Sequence, residues 1–194
     1  MRSAAIIVCL VLVSAPCGAQ IMENGTFHTD VAGWGSFWDG VRVWDEMDAD
    51  DSVSSGSCLV TNQSSSPGNA TGPQQCSDGI TGGNEYLVQS SIFFPSGQTE
   101  PGLARLLIRW YSDASCTQQI TNTHSPSVTT TDQWIMVHKL VEAPASAVAI
   151  ALRLDVLKAE STGELSAHFD NVSVSEVVFH DDFDDGDLVG WVVF

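Results

Sequence analysis

Three arginines, a tyrosine and a glutamine occupy positions where strand patterning turns them outward. Side chains of this kind can hold hydroxyls or a carboxylate. In residues 104–111, Ala104, Leu106, Ile108 and Trp110 share one face, and Arg105, Leu107, Arg109 and Tyr111 share the other. With the first set as core, Arg109 and Tyr111 line an outer surface, and Arg153 does the same on its own strand. A hairpin between residues 85–94 and 104–111 places Gln89 beside Arg109. The guanidinium is a planar fork of donors suited to hydroxyls or a carboxylate. The plainer alternative for these arginines is ion pairing on the sheet surface with Asp155 or Glu85. Aromatic rings would supply stacking surfaces. Of Trp34, Trp38, Trp44, Trp110, Tyr111 and Trp134, the two tryptophans within strands, Trp110 and Trp134, read as core. Trp38, in the loop Gly35-Ser36-Phe37-Trp38-Asp39-Gly40, reads as exposed.

Other chemistries lack their residues. There is no Gly-x-Ser-x-Gly elbow, no His-Glu-x-x-His pair and no phosphate loop. His28, His124, His138, His168 and His180 show no metal-ligand spacing. The acids at 45, 46, 48, 50 and 51 lack the glycine and glutamate of a calcium loop and read as a solvated loop. The sequence is therefore that of a non-enzymatic protein.

The elements that position these residues are strands. Val148, Ile150, Leu152, Leu154 and Val156 alternate with Ala149, Ala151, Arg153 and Asp155, the pattern of a strand with one buried and one wet face. Residues 134–141, 41–44 and 57–61 are further strand candidates. Residues 64–72 and 121–131, rich in Ser, Thr, Asn, Pro and Gly, read as loops. Many short strands separated by turns define an antiparallel β-sandwich or barrel.

The chain of 194 residues carries 24 acidic and 7 basic side chains, a net charge of −17. That balance excludes binding to nucleic acid or to anionic lipid. Residues 1–19 have a positive start, an apolar run too short to cross a bilayer and small residues up to Ala19, the layout of a secretory leader. The reading is one exported domain over 20–178 with no membrane insertion, followed by 179–194. That last stretch echoes the opening: Phe183, Asp187, Gly190 and Trp191 repeat Phe27, Asp30, Gly33 and Trp34 with a one-residue offset. It is either an acidic tail or the start of a second, truncated module. Beyond the leader, Cys58, Cys76 and Cys116 remain for an oxidising compartment. Strand pairing favours Cys76 with Cys116 and leaves Cys58 as a buried free thiol.

Two short motifs bracket the domain: Asn24-Gly25-Thr26-Phe27 with Gly33-Trp34, and Phe169-Asp170-Asn171-Val172-Ser173-Val174. Together with Ser55-Gly56-Ser57, Gln75-Cys76 and Trp110-Tyr111-Ser112, they resemble the galactose-binding-like jelly rolls, including the carbohydrate-binding modules of xylanases and cellulases. The resemblance runs over residues 21–178 and extends to exported bacterial proteins. It implies a jelly-roll β-sandwich whose first and last strands meet, a polysaccharide or glycan as partner and a structural calcium at that junction. Asp170 matches one expected calcium ligand. The other is replaced by His28, with Asp30 or Glu23 as the stand-in.

Overall fold

The computed structural model describes residues 21–35, 40–98, 100–160 and 162–177. The leader, the tail from 179 and the predicted sugar ligand Trp38 lie outside the described residues. Ten strands are present: β1 (Gly40–Asp45), β2 (Ser57–Asn62), β3 (Ala70–Thr71), β4 (Gln74–Asp78), β5 (Glu85–Phe93), β6 (Gly102–Tyr111), β7 (Gln119–His124), β8 (Trp134–Glu142), β9 (Ala149–Lys158) and β10 (Leu165–Glu176). They form two antiparallel sheets. The first runs β1-β2-β10-β5-β8. The second runs β3-β9-β6-β7, with β4 also paired to β9. This is the all-β sandwich that the alternation implied.

Between the sheets lie Tyr86, Val88 and Ile92 of β5, Leu106, Ile108 and Trp110 of β6, Ile150, Leu152, Leu154 and Val156 of β9, and Phe169, Val172 and Val174 of β10. The bracketing motifs do meet. The opening segment runs beside β10, with Val172 N–H donating to Gly25 O at 2.8 Å. Phe27 and Trp34 are fully buried, their ring centroids 5.8 Å apart.

The expected hairpin between β5 and β6 does not form. β5 pairs with β10 and β8, and β6 pairs with β7 and β9. The two strands instead face each other across the core, where Tyr86 and Trp110 have ring centroids 5.8 Å apart. Alternation alone does not separate these arrangements, because both turn the same residues inward. Residues 121–124, read as loop, belong to β7. Val148 lies outside β9 and is exposed, and the expected wet face of β9 is enclosed: Ala149, Ala151, Arg153 and Asp155 are all buried.

The disulfide joins Cys76 to Cys116, with the Cα atoms 6.1 Å apart. It forms by a different route from the hairpin argument. Cys76 pairs opposite Ala151 on β9, and Ala151 pairs opposite Arg109 on β6. The turn after β6 then carries Cys116 back over β9. Cys58 is the buried free thiol expected of it, and burial pushes its pKa up to about 12.

Candidate functional site

The outward residues of the sequence reading divide between two sheets. Gln89 lies on β5 opposite His138 and Ser173, in the first sheet. Arg109, Tyr111 and Arg153 lie in the second. Gln89 is therefore not beside Arg109, because the hairpin that would join them is absent. On the second sheet, Arg109 donates to Gln74 Oε1 at 2.7 Å. Tyr111, 5% exposed, packs with Ala149, Ala151 and Cys116. Arg153, 4% exposed, is ion-paired through Nε to Asp155, and Arg105 Nε lies 3.8 Å from the other oxygen of that carboxylate. The pairing with Asp155 expected at the surface is thus a buried network.

A concavity lies at one end of the first sheet, where β1 runs into the 46–56 loop, β5 ends and β8 begins. This cavity of about 870 Å³ is lined by Trp44, Phe93 and Trp134, by Met47, Val53 and Ser52 of the loop, and by His28 and Thr29 of the opening segment, among others. Trp134 was expected in the core. Its neighbour Ile135 pairs with the buried Ile92, so strand parity turns Trp134 to the outer side, opposite Phe93. The Phe93 and Trp134 rings lie 5.6 Å apart, and the His168 ring meets each at a steep angle, at 5.9 and 6.4 Å. Trp44 is 39% exposed and is anchored by its Nε1–H, which donates to Phe27 O at 2.7 Å. Gly56 is required beside it, because a Cβ there would come within 2.8 Å of Trp44 ring atoms.

The loop is held from behind. Asp48 Oδ1 accepts the N–H groups of Asp50 and Ser52. Burial pushes the Asp48 carboxyl up, but these bonds outweigh it and hold the group below its usual range. Asp51 sits in the left-handed region, which Asp tolerates. Asp170 Oδ2 accepts Ala49 N–H at 3.1 Å, and Asn171 Nδ2 donates to Asp50 Oδ2 at 3.0 Å. Part of the acidic stretch is therefore ordered structure rather than a solvated loop.

A serine relay fails on geometry. Ser57 Oγ lies 3.1 Å and Asp45 Oδ1 3.8 Å from the same nitrogen of His168, Nδ1. A catalytic relay needs serine and carboxylate on opposite ring nitrogens. Burial lowers the His168 pKa, against the opposing pull of Asp45, and the ring serves as backing for the aromatic pair. The carboxylates that the resemblance offers to calcium are already hydrogen-bonded within the protein. Asp170 accepts N–H groups at both carboxylate oxygens, from Ala49 and Asn171. Burial, with Asp48 and Asp50 nearby, raises its pKa to about 6. Asp30 Oδ1 is occupied within its own turn by Asn24 Nδ2 and Ala32 N–H. No group of three or more His, Cys, Asp or Glu side chains able to hold a metal occurs among the described residues.

No family model matches the chain, and no curated protein does. Solved structures match at the level of fold. The C-terminal family 22 carbohydrate-binding module of Clostridium thermocellum xylanase 10B aligns over 78% of this chain and 91% of its own, at TM-score 0.54 and 19% identity. The family 22 xylan-binding domain of Paenibacillus barcinonensis xylanase 10C aligns over 84% and 98%, at TM-score 0.58 and 12% identity. The chain has the β-sandwich fold of carbohydrate-binding modules. It also matches a C. thermocellum structure that joins a family 22 module to a xylanase module, complexed with xylohexaose, at TM-score 0.57 and 18% identity. There it spans only 28% of the partner's length, so the likeness to an enzyme covers a minor part of that protein.

Trp44 and Trp134 stand among the candidate rings of the sequence, but two things hid which way they face. Trp134 was assigned to the core by its place in a strand, without the parity that decides its face. Trp44 sits at a strand end, where burial depends on the loop that follows.

Proposed function

We propose that this chain is a non-catalytic polysaccharide-binding module, and that the cavity beside the 46–56 loop is its sugar site. The observation that carries this reading is the set of partly exposed rings of Trp44, Phe93 and Trp134 around one concavity. Sugar rings present apolar faces that stack on such side chains, while hydroxyls hydrogen-bond to a polar rim. Thr29, Ser52, Ser54 and Ser55 provide that rim. The fold shared with xylan-binding domains supports a β-linked polymer of the xylan type as the ligand. The disulfide and the secretory layout of residues 1–19 support a site of action outside the cytoplasm.

Affinity electrophoresis through gels containing soluble xylan and related glucans tests this reading. Retardation by a polysaccharide that is lost in Trp134→Ala supports the cavity. Loss in Arg109→Ala with retention in Trp134→Ala would move the site to the outer face of the second sheet. A second reading, an adhesive or structural contact, is favoured by Val41, Val43, Met136 and Leu140, which are exposed on the β1 and β8 edges of the first sheet. Sedimentation of the purified chain over a range of concentrations tests it, and a monomer throughout would remove self-association.

A further inference from the structure

The charge of the cavity bears on which sugars fit it. Besides its aromatic rings and hydroxyls, it is lined by Glu46, Asp48 and Asp51. No Lys or Arg stands among its described lining residues. Five of the seven basic side chains are held at other places in the fold. Arg105 and Arg153 meet Asp155 in the second sheet, and Arg109 meets Gln74 there. Lys158 Nζ donates to Ser64 O and Gly163 O, and Lys139 Nζ to Thr123 Oγ1 and His124 O. None of the three ion pairs among the described residues involves Glu46 or Asp51. The chain's charge of −17 adds to the negative field.

Resting on the cavity as the sugar site, we propose that it takes uncharged glycan segments and turns away uronate-bearing ones, with Glu46 and Asp51 as the discriminating residues. A neutral pyranose donates hydroxyl protons to these carboxylates, and such charge-assisted bonds are strong. A uronic acid brings a further carboxylate against the same oxygens. Two fixed negative charges within several ångströms of a third, partly screened by water, cut affinity by roughly tenfold at low salt. Screening shortens the reach of that repulsion as salt rises.

Titration calorimetry on the full chain tests this, with two probes: a neutral β-1,4-xylo-oligosaccharide and the same oligosaccharide with one glucuronic acid branch. Measurements run near pH 8, above the ordinary histidine range, at about 20 mM and about 500 mM salt. The neutral probe is expected to bind with little salt dependence. The branched probe is expected to bind roughly tenfold more weakly at low salt and to recover most of that loss at high salt. The double variant Glu46→Gln/Asp51→Asn, which keeps side-chain size and hydrogen bonding, is expected to bring the ratio of the two affinities close to one at low salt. Equal binding of both probes by the unaltered chain, or a ratio unmoved in the double variant, overturns the proposal while leaving the cavity as the sugar site. If neither probe binds, the cavity reading fails and the proposal with it.

Discussion

Phe93 and Trp134 stand directly opposite each other on β5 and β8, ring centroids 5.6 Å apart, on the outer side of the sheet that carries the first and last strands. Beside the pair stands His168 from β10, which is buried, meets both rings edge-on and is hydrogen-bonded to Ser57 of β2. Three neighbouring strands thus fix one aromatic platform, and the 46–56 loop lines the same cavity. A platform set by sheet register is already in place before a ligand arrives, so little ordering cost falls on binding.

Trp134→Ala removes half of that platform. A ring at the centre of a contact is worth about 2 kcal/mol or more, roughly a thirtyfold loss in affinity. Because Trp134 is only half-buried, the melting temperature is expected to change little. Calorimetric titration beside a thermal melt separates the two effects. A variant that binds as tightly as the unaltered chain removes the platform from the site.

Which parts of this arrangement can be read in the sequence follows from strand geometry. Leu106, Ile108 and Trp110 were placed inward correctly, because alternation is a local property of one strand. The Cys76–Cys116 pairing was also legible, although its reason was not: the cysteines meet across β9 rather than along a hairpin. Which sheet a strand joins depends on distant partners. β5 and β6 have the pattern of a hairpin, yet Tyr86 and Trp110 pack against each other across the core, their ring planes tilted by 54°. The same limit hid the site. Trp134 reads as core until the pairing of Ile135 with Ile92 fixes its parity.

The disulfide covers the outer face of the second sheet where Cys116 packs with Tyr111, Ala149 and Ala151. Its reduction is expected to lower stability by about 2–4 kcal/mol. Urea unfolding with and without reductant measures this. Limited proteolysis should find a new cleavage site in residues 112–118 of the reduced chain, where the turn loses its tether. Identical unfolding midpoints would show that the packing of Tyr111 holds that face unaided.

Cys58 offers a pH test of core integrity. Burial raises its thiol from an ordinary value near 9 to about 12. Iodoacetamide near pH 8 is expected to leave the native chain unmodified and to label Cys58 once urea unfolds it, since the thiolate is the reactive form. The linkage follows the same direction. The folded state binds the proton more tightly, so this contribution is complete below about pH 9 and is lost as pH rises towards 12. Stability of the unaltered chain relative to Cys58→Ala should fall across that window. A parallel pH dependence for the two would contradict the burial of the thiol.

Asp155 is fully buried on the outer side of β9, between Arg153 of its own strand and Arg105 of β6. Removing one member of a buried ionic network leaves the remaining charges without compensation, at a cost of about 3–5 kcal/mol. Asp155→Ala is therefore expected to destabilise strongly, with two guanidinium groups left facing each other on the covered sheet. Replacing the pair together, as Arg153→Met/Asp155→Leu, removes both desolvation penalties and keeps apolar volume, so it should recover most of the loss. Urea midpoints of the single and double variants decide the point. If the double variant is no more stable than Asp155→Ala, the network acts through specific hydrogen bonds rather than through charge compensation. Sugar binding at the Trp134 cavity, on the other sheet, should survive in any variant that remains folded, and its loss there would tie the two faces together.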